Sequence, residues 1–356
     1  LTDCTYGLRR QKKGKVASPT KITRYGASEE QIESLMSEWN EPKYRAEQIW
    51  ACLYRPDPLS EATTLPAALK NRLVDALPLA LDEMTVVHGQ DGMTSKWLWA
   101  AGADRAEIET VLMRTTSRAT VCVSSQAGCA MGCTFCATGQ AGFNRQLSSA
   151  EIVEQVVRAA HGSPQRVSNV VYMGMGEPLA NYETVWDSVE RIHSDLKISA
   201  RRITLSTVGI VPAMLQLAKE ALPITLAVSL HAANDSLRQT MIPLNNRYPI
   251  ADILDAAAEV AGAHGRRVTF EYACIEGVND SPDSGRELAH LLGRWPGAGG
   301  AHVNLIPLNP TTEFFGRRSS RRHLEGFAEL LRAGGVSATI RRPRGVDIDA
   351  ACGQLR

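Results

Sequence analysis

Apolar positions in residues 28–38 and 43–55 recur every three or four residues, a spacing that predicts two amphipathic helices. Thr64-Leu65-Pro66-Ala67 predicts the start of a third, with Pro66 near the first-turn position, where its missing N–H costs least. A small helical unit is therefore expected up to about residue 82. Three β-like runs follow near residues 84–89, 94–100 and 106–113, and Asp91-Gly92 supplies hairpin turn chemistry between the first two. From residue 119 the rhythm changes to short apolar runs rich in β-branched residues, each followed by a polar loop and a helical stretch. The runs are Ala119–Ser124, Asn169–Met173, Ile203–Thr207, Thr225–Leu230, Val268–Ala273, Val303–Pro307 and, more weakly, Ala338–Arg342. Ser148-x-x-Glu151 is a capping box that opens one intervening helix, Ser281-Pro282 opens another, and Gly334-Gly335 closes the last. Such alternation predicts an α/β fold with parallel strands and helical crossovers, as an open sheet or a full or partial barrel. Chemistry in these folds sits just past the strand C-termini.

Composition narrows the class. With 356 residues, 44% hydrophobic and 22% charged, the chain has room for a large α/β unit plus a small extra one. Disorder and a disulfide-stapled mini-protein are excluded. No uninterrupted apolar run approaches membrane-spanning length, and the basic start is followed by Ser18-Pro19-Thr20 rather than an apolar stretch. The expectation is a protein that is neither secreted nor membrane-spanning. Four of the eight cysteines crowd into residues 122–136, which reads as metal or redox chemistry in a reducing cytoplasm. The net charge of +1 conceals an uneven distribution: residues 1–25 hold seven Lys/Arg against Asp3 alone, and residues 317–356 hold nine Arg against four acids. Basic ends on an acidic body suggest contact with a polyanion, solvated tails being the alternative.

The decisive segment is Cys129-Ala-Met-Gly-Cys133-Thr-Phe-Cys136, directly after the first run of the α/β region. Three thiolates at this spacing can bind three irons of a [4Fe–4S] cube and leave the fourth iron open. A structural zinc ion would want a fourth ligand nearby, and no Cys or His follows until His161. Cys274 and Cys52 read as core thiols, and Cys4 as part of the basic tail. His161, His193 and His264 stand at helix ends and need only be surface residues.

This motif is similar to the signature of the radical S-adenosylmethionine (SAM) superfamily, and Gly174-Met-Gly-Glu177-Pro178 resembles that superfamily's element for the methionine amino group. Ala141–Arg145, Met173–Leu179, Ser229–Ala232, Asn304–Pro310, Asp347–Leu355 and the N-terminal Arg45-Ala-Glu-Gln-Ile49 together resemble the RlmN/Cfr family of RNA adenine methyltransferases. The resemblance implies a partial (β/α)6 radical SAM barrel over residues 115–345. It also implies a basic tail (1–25), a helical RNA-binding unit (26–82), a β extension (83–114) and a C-terminal segment (346–356). One [4Fe–4S] cluster on Cys129, Cys133 and Cys136 and two SAM molecules per turnover are implied, with Gly176, Glu177, Ser206, Ser229, Leu230, His231 and Asn309 at SAM-contacting places. By the same resemblance, one SAM methylates Cys352. A second, cleaved to a 5′-deoxyadenosyl radical, takes hydrogen from that methyl group, and the methylene radical adds to adenine. Glu109 accepts the ring proton, and Cys122 forms a transient disulfide with Cys352 that releases the RNA. Implied partners are 23S rRNA (adenosine 2503), tRNA (adenosine 37) and an electron donor such as flavodoxin, for a monomer in the cytoplasm. Methylation at carbon 8 of the same rRNA adenosine, a protein-activating radical SAM enzyme and a non-enzymatic metal protein are the alternatives. Arg317, Arg318, Arg321, Arg322, Arg341, Arg342 and Arg344 are candidate phosphate contacts.

Overall fold

A computed structural model describes residues 22–55, 57–309, 311 and 313–356. Cys4, most of the basic tail and Pro310 lie outside the described residues. Three helices come first: α1 (Glu29–Glu38), α2 (Tyr44–Leu53) and α3 (Ala67–Ala76). At the start of α1, Ser28 accepts from the Gln31 N–H while the Gln31 side chain accepts from the Ser28 N–H, a reciprocal cap. Pro66 sits one residue outside α3, at its N-cap, rather than within the first turn. Residues 22–25, which the sequence grouped with the tail, belong to this unit: Tyr25 is buried, and Arg24 Nε donates to Leu77 O at 3.2 Å. Ile32, Met36, Ile49, Leu69 and Leu73 fill the interior, which is continuous with the core of the α/β region.

The three β-like runs form β1 (Leu81–His88), β2 (Thr94–Ala101) and β3 (Ala106–Arg114), an antiparallel meander whose first turn holds Gly92 at φ +63°. β3 pairs antiparallel with β4 (Ala119–Cys122), with Val111 opposite Cys122. A separate antiparallel pair, β5 (Gln126–Gly128) and β6 (Phe143–Gln146), brackets the short helix α4 (Ala137–Ala141). The alternating region then runs α5 (Ser149–His161), β7 (Val167–Tyr172), α6 (Tyr182–Ser194), β8 (Ile203–Thr207), α7 (Val211–Leu217), β9 (Thr225–Ser229) and α8 (Asp235–Met241). It ends with α9 (Ile250–His264), β10 (Thr269–Cys274), α10 (Pro282–Gly293), β11 (His302–Pro307), α11 (Arg321–Ala333) and β12 (Ser337–Ile340). The capping boxes and stops read from the sequence are in place at Ser148, Ser281 and Gly334.

These strands make one ten-stranded sheet in the order β1-β2-β3-β4-β7-β8-β9-β10-β11-β12, parallel from β4 onward. The parallel run holds seven strands rather than six. The added one, β12, is an edge strand with alternating exposed positions, so its apolar signal is the weakest of the series. β1 and β12 are the two edges and do not pair with each other, so the sheet is not closed into a full barrel. His161, His193 and His264 are half-buried rather than surface residues, and the last two bond to backbone carbonyls of Ile198 and Leu217. No helix among the described residues is long and apolar enough to cross a membrane.

Candidate active site

The cysteine loop leaves the parallel sheet just past β4 and is anchored at both ends. Cys129 N–H donates to Gly142 O at 2.7 Å beside the β5–β6 pair, and Cys136 is the N-cap of α4, its N–H on Cys133 O. Thr134 N–H bonds to Met241 O at 3.0 Å, so α8 holds the middle of the loop. Met131, Phe135, Ile242, Ile275 and Leu308 form an apolar shell around Cys133. Burial pushes the Cys129 thiol up to about 12 and that of Cys133 higher still, with the neighbouring cysteines adding to both shifts.

The Gly174–Pro178 loop crosses directly over the end of β4. A Cβ on Gly174 would come within 2.6 Å of Val123 O, and Gly176 adopts φ +100° against Gln126, so both positions require glycine. Gln126 Oε1 accepts the Glu177 N–H at 2.8 Å, and the Glu177 carboxylate in turn accepts the N–H groups of Leu179 (3.0 Å) and Val208 (2.8 Å). Burial pushes this carboxyl up to about 7 despite those bonds.

Ser206 lies on β8, Ser229 ends β9, and Leu230 and His231 follow it, so four of the expected SAM-contacting residues share one rim. His231 takes φ +60°, and its Nδ1 accepts from the Ala273 N–H at 2.8 Å, which places the ring proton on Nε2. Burial lowers its pKa to about 3, so the imidazole is neutral. Beneath this rim lies Arg238 of α8, fully buried, with bonds to the carbonyls of Val208, Ser229 and Leu230 and to Asn245 Oδ1.

The C-terminal segment closes the other side of the mouth. Cys352 is solvent-exposed, in a segment whose Gly353 O accepts the Ala137 N–H at 2.8 Å. Cys136, Glu271 and Arg341 are close enough to act on it electrostatically, and it acts likewise on the buried thiol of Cys122 at the end of β4. Burial raises both thiols. Glu109 on β3 has Oε1 2.8 Å from Lys96 Nζ, and its Oε2 accepts the Arg356 N–H at 2.9 Å. Asn309 spends its amide on protein: Nδ2 donates to Cys352 O at 3.1 Å and Oδ1 accepts from Arg318.

Residues 123–286 match the profile of the Radical SAM superfamily. A protein of Parafrankia sp. (strain EAN1pec), named probable dual-specificity RNA methyltransferase RlmN, is 51% identical over 337 residues, covering 88% of this chain and 86% of that one. The chain belongs to the RlmN family. A relative of the same name from Salinispora tropica is 48% identical over 340 residues, 91% of this chain and 90% of its own length. The crystal structure of a radical SAM methyltransferase from Sphaerobacter thermophilus superposes with a TM-score of 0.87 at 45% identity, covering 94% of this chain and 99% of that one. Membership makes the chain a radical SAM enzyme that transfers methyl groups, and removes the protein-activating and non-enzymatic alternatives.

The family implies a [4Fe–4S] cluster and SAM, and the residues fit. Two buried thiols, Cys129 and Cys133, and the half-buried Cys136 share one loop, a set of soft sulfur donors of the kind that holds an iron–sulfur cluster. Among the described residues no group of three or more His, Cys, Asp or Glu side chains is gathered to hold a single metal ion.

The described cysteines are all free thiols, so the Cys122–Cys352 disulfide expected from the family is not formed here. The candidate phosphate contacts divide: Arg318 turns inward to Leu308 O and Asn309, and Arg344 donates to Arg114 O. Arg317 and Arg321 are exposed, in ion pairs with Glu276 and Glu325. Sequence reasoning missed Lys96, Gln126, Thr138, Arg238 and Glu271. Each is a polar residue in an apolar run or short helix, and its burial depends on contacts far away in the chain.

Proposed function

We propose that the chain methylates carbon 2 of adenosine in RNA, at adenosine 2503 of 23S rRNA and adenosine 37 of tRNA, with Cys352 as methyl carrier. The observation that carries this reading is the seating of the Cys352 segment against the helix that follows the cluster cysteines, where the Ala137 N–H donates to Gly353 O at 2.8 Å and Asn309 Nδ2 donates to Cys352 O at 3.1 Å. Carbon 2 of adenine is not nucleophilic, so direct attack on the SAM methyl group is closed and a radical route is required.

Cys129, Cys133 and Cys136 hold the cluster, which when bound supplies an electron and an open iron position to SAM. Glu177 and the rim of Ser206, Ser229, Leu230 and His231 hold SAM itself, while Asn309 ties the Cys352 segment in place through its bond to Cys352 O. Cys352 first takes a methyl group on sulfur. After hydrogen is removed from that methyl, its carbon bonds to the ring, and Glu109 accepts the ring proton. Once the adduct has returned its unpaired electron to the redox system that supplied it, the Cys122 sulfur, giving up its proton, attacks the Cys352 sulfur; a sulfur–sulfur bond forms as the carbon–sulfur bond breaks, and the carbon leaves with the bonding pair and takes up a proton to become the methyl group of the RNA. The adenine must be unstacked to reach this cavity, which favours loops over regular duplex. The relatives are named dual-specificity RNA methyltransferases, which agrees with two kinds of RNA substrate. The reading places the enzyme in the cytoplasm as a monomer, served by a small redox protein such as flavodoxin.

The test is nucleoside mass spectrometry on unmodified 23S rRNA and tRNA after anaerobic incubation with reconstituted protein, SAM and reductant, with Cys352→Ala as control. The expected result is 2-methyladenosine that disappears in the control. Finding 8-methyladenosine, or no methylated nucleoside despite SAM cleavage, overturns it.

A further inference from the structure

Lys96 is one of the best-connected polar residues of the mouth, and nothing above gives it a task. It lies in β2, opposite Val111 of β3, and its ammonium reaches past the sheet to two partners. One is Glu109 Oε1 at 2.8 Å, with the two side chains 13% and 9% exposed. The other is the backbone carbonyl of Asp349 at 3.1 Å, in the loop that leads to Cys352.

That loop carries the marks of a segment held in place from outside. Asp349 adopts φ +51°, a conformation that residues with a side chain rarely adopt, and it presents its carbonyl to Lys96 in that state. Gly345 and Gly353, also left-handed, stand on either side of it. A second tie from the same hairpin is the Gln90 N–H, which donates to Asp347 Oδ2 at 2.8 Å.

We propose that Lys96 is a positioning residue that sets Glu109 and the Cys352 loop in one frame, so that proton acceptor and methyl carrier meet the same base. The inference rests on the roles given to Glu109 and Cys352 above. Lysine suits the position because its ammonium has three donors and no acceptor, enough to satisfy a carboxylate oxygen and a carbonyl at once. Pinning Oε1 also determines which oxygen can work. Oε2, which holds the Arg356 N–H in this structure, is the one left to exchange that partner for the ring proton. A neutral side chain at position 96 would leave a buried carboxylate oxygen unpaired and the strained carbonyl without its donor.

The experiment compares Lys96→Met and Lys96→Arg with the wild type as full chains, after cluster reconstitution and a check of iron content. Hydrogen exchange across residues 346–353 reports the loop, and single-turnover RNA methylation reports the chemistry. For Lys96→Met the expected results are exchange about tenfold faster in that loop, a methylation rate lower by roughly ten- to hundredfold and a KM for RNA within about threefold. Lys96→Arg, which keeps the charge and two donors, restores the rate to within about fivefold of wild type. Unchanged exchange in Lys96→Met, a loss confined to KM, or an arginine variant no better than methionine overturns the proposal. Should the wild type itself yield no methylated RNA, the functional reading fails separately, and the exchange data still decide whether Lys96 holds the loop.

Discussion

Cys129, Cys133 and Cys136 hang from a loop whose ends are a strand pair and a helix, and the N–H groups of Cys129 and Thr134 donate to the carbonyls of Gly142 and Met241, which hold it in place. Cys352 lies in a segment with no regular structure beyond a single turn at Val346–Ile348. It is held by single bonds from Gln90, Lys96, Ala137, Thr138 and Asn309, donors spread over more than two hundred residues of chain. The two regions face one cavity and are meant for one reaction. The first is framed at both ends by regular elements adjacent to it in the chain, with a backbone bond to Met241 of α8 across its middle. The second is placed by remote side chains, so it can be released or re-seated without disturbing the sheet. In the proposed reaction, a cofactor that must not move and a methyl carrier that approaches first SAM, then RNA, then Cys122 call for that division.

The largest effects should separate the two regions by chemistry. Cys352→Ala should abolish RNA methylation while SAM cleavage persists, and Cys122→Ala should leave RNA covalently attached to the protein. A gel shift that survives denaturant checks the latter. Glu109→Gln should cost about 10²–10⁴-fold in the RNA step, the range for removing a positioned proton acceptor, with iron content unchanged. Full activity in this variant would move the proton transfer elsewhere.

On the rigid side, Arg238→Met strips a buried guanidinium from three rim carbonyls and Asn245. Breaking such a set should destabilise by roughly 3–5 kcal/mol in urea unfolding and lower iron incorporation. On the mobile side, Thr138→Val removes the 2.6 Å bond to Leu355 O and should cost only about 1–2 kcal/mol, with faster exchange in the C-terminal segment and the cluster spectrum intact. Equal damage to both regions from either variant would dissolve the contrast.

The smallest effect concerns pH. Burial raises the Glu154 carboxyl from its ordinary 4.5 to about 7, where it caps the Ala80 and Leu81 N–H groups. The folded state then holds a proton that the unfolded chain has released. The contribution is complete below about 4.5 and is lost as pH rises through about 7. Glu154→Gln should remove this slope, gaining on the wild type between pH 5 and pH 8 in urea midpoints.

The same division governs what could be read before the structure. The helices at 28–38 and 43–55, the three-stranded meander and the caps at Ser148 and Ser281 were legible because each depends on residues within a few positions of one another. The cluster cysteines were legible for the same reason, and the two glycines of the Gly174–Pro178 loop carry their own explanation in the close crossing over Val123 and Gln126. β12 was the least legible strand because an edge strand buries few of its residues. Asn309 illustrates the limit in the site. Its place near the mouth could be anticipated, but not that its amide would bind Cys352 O and Arg318.

By itself the sequence determined the alternation of strands and helices, the cysteine spacing and the family, since hydrophobic period, turn chemistry and motif spacing are local properties. Only the tertiary structure decided that the Cys352 segment lies against the helix after the cluster cysteines, that Lys96 joins Glu109 to that segment, and that Arg238 lies buried beneath the rim. Those are contacts between residues far apart in the chain, and their burial and charge exist only once the sheet has brought them together.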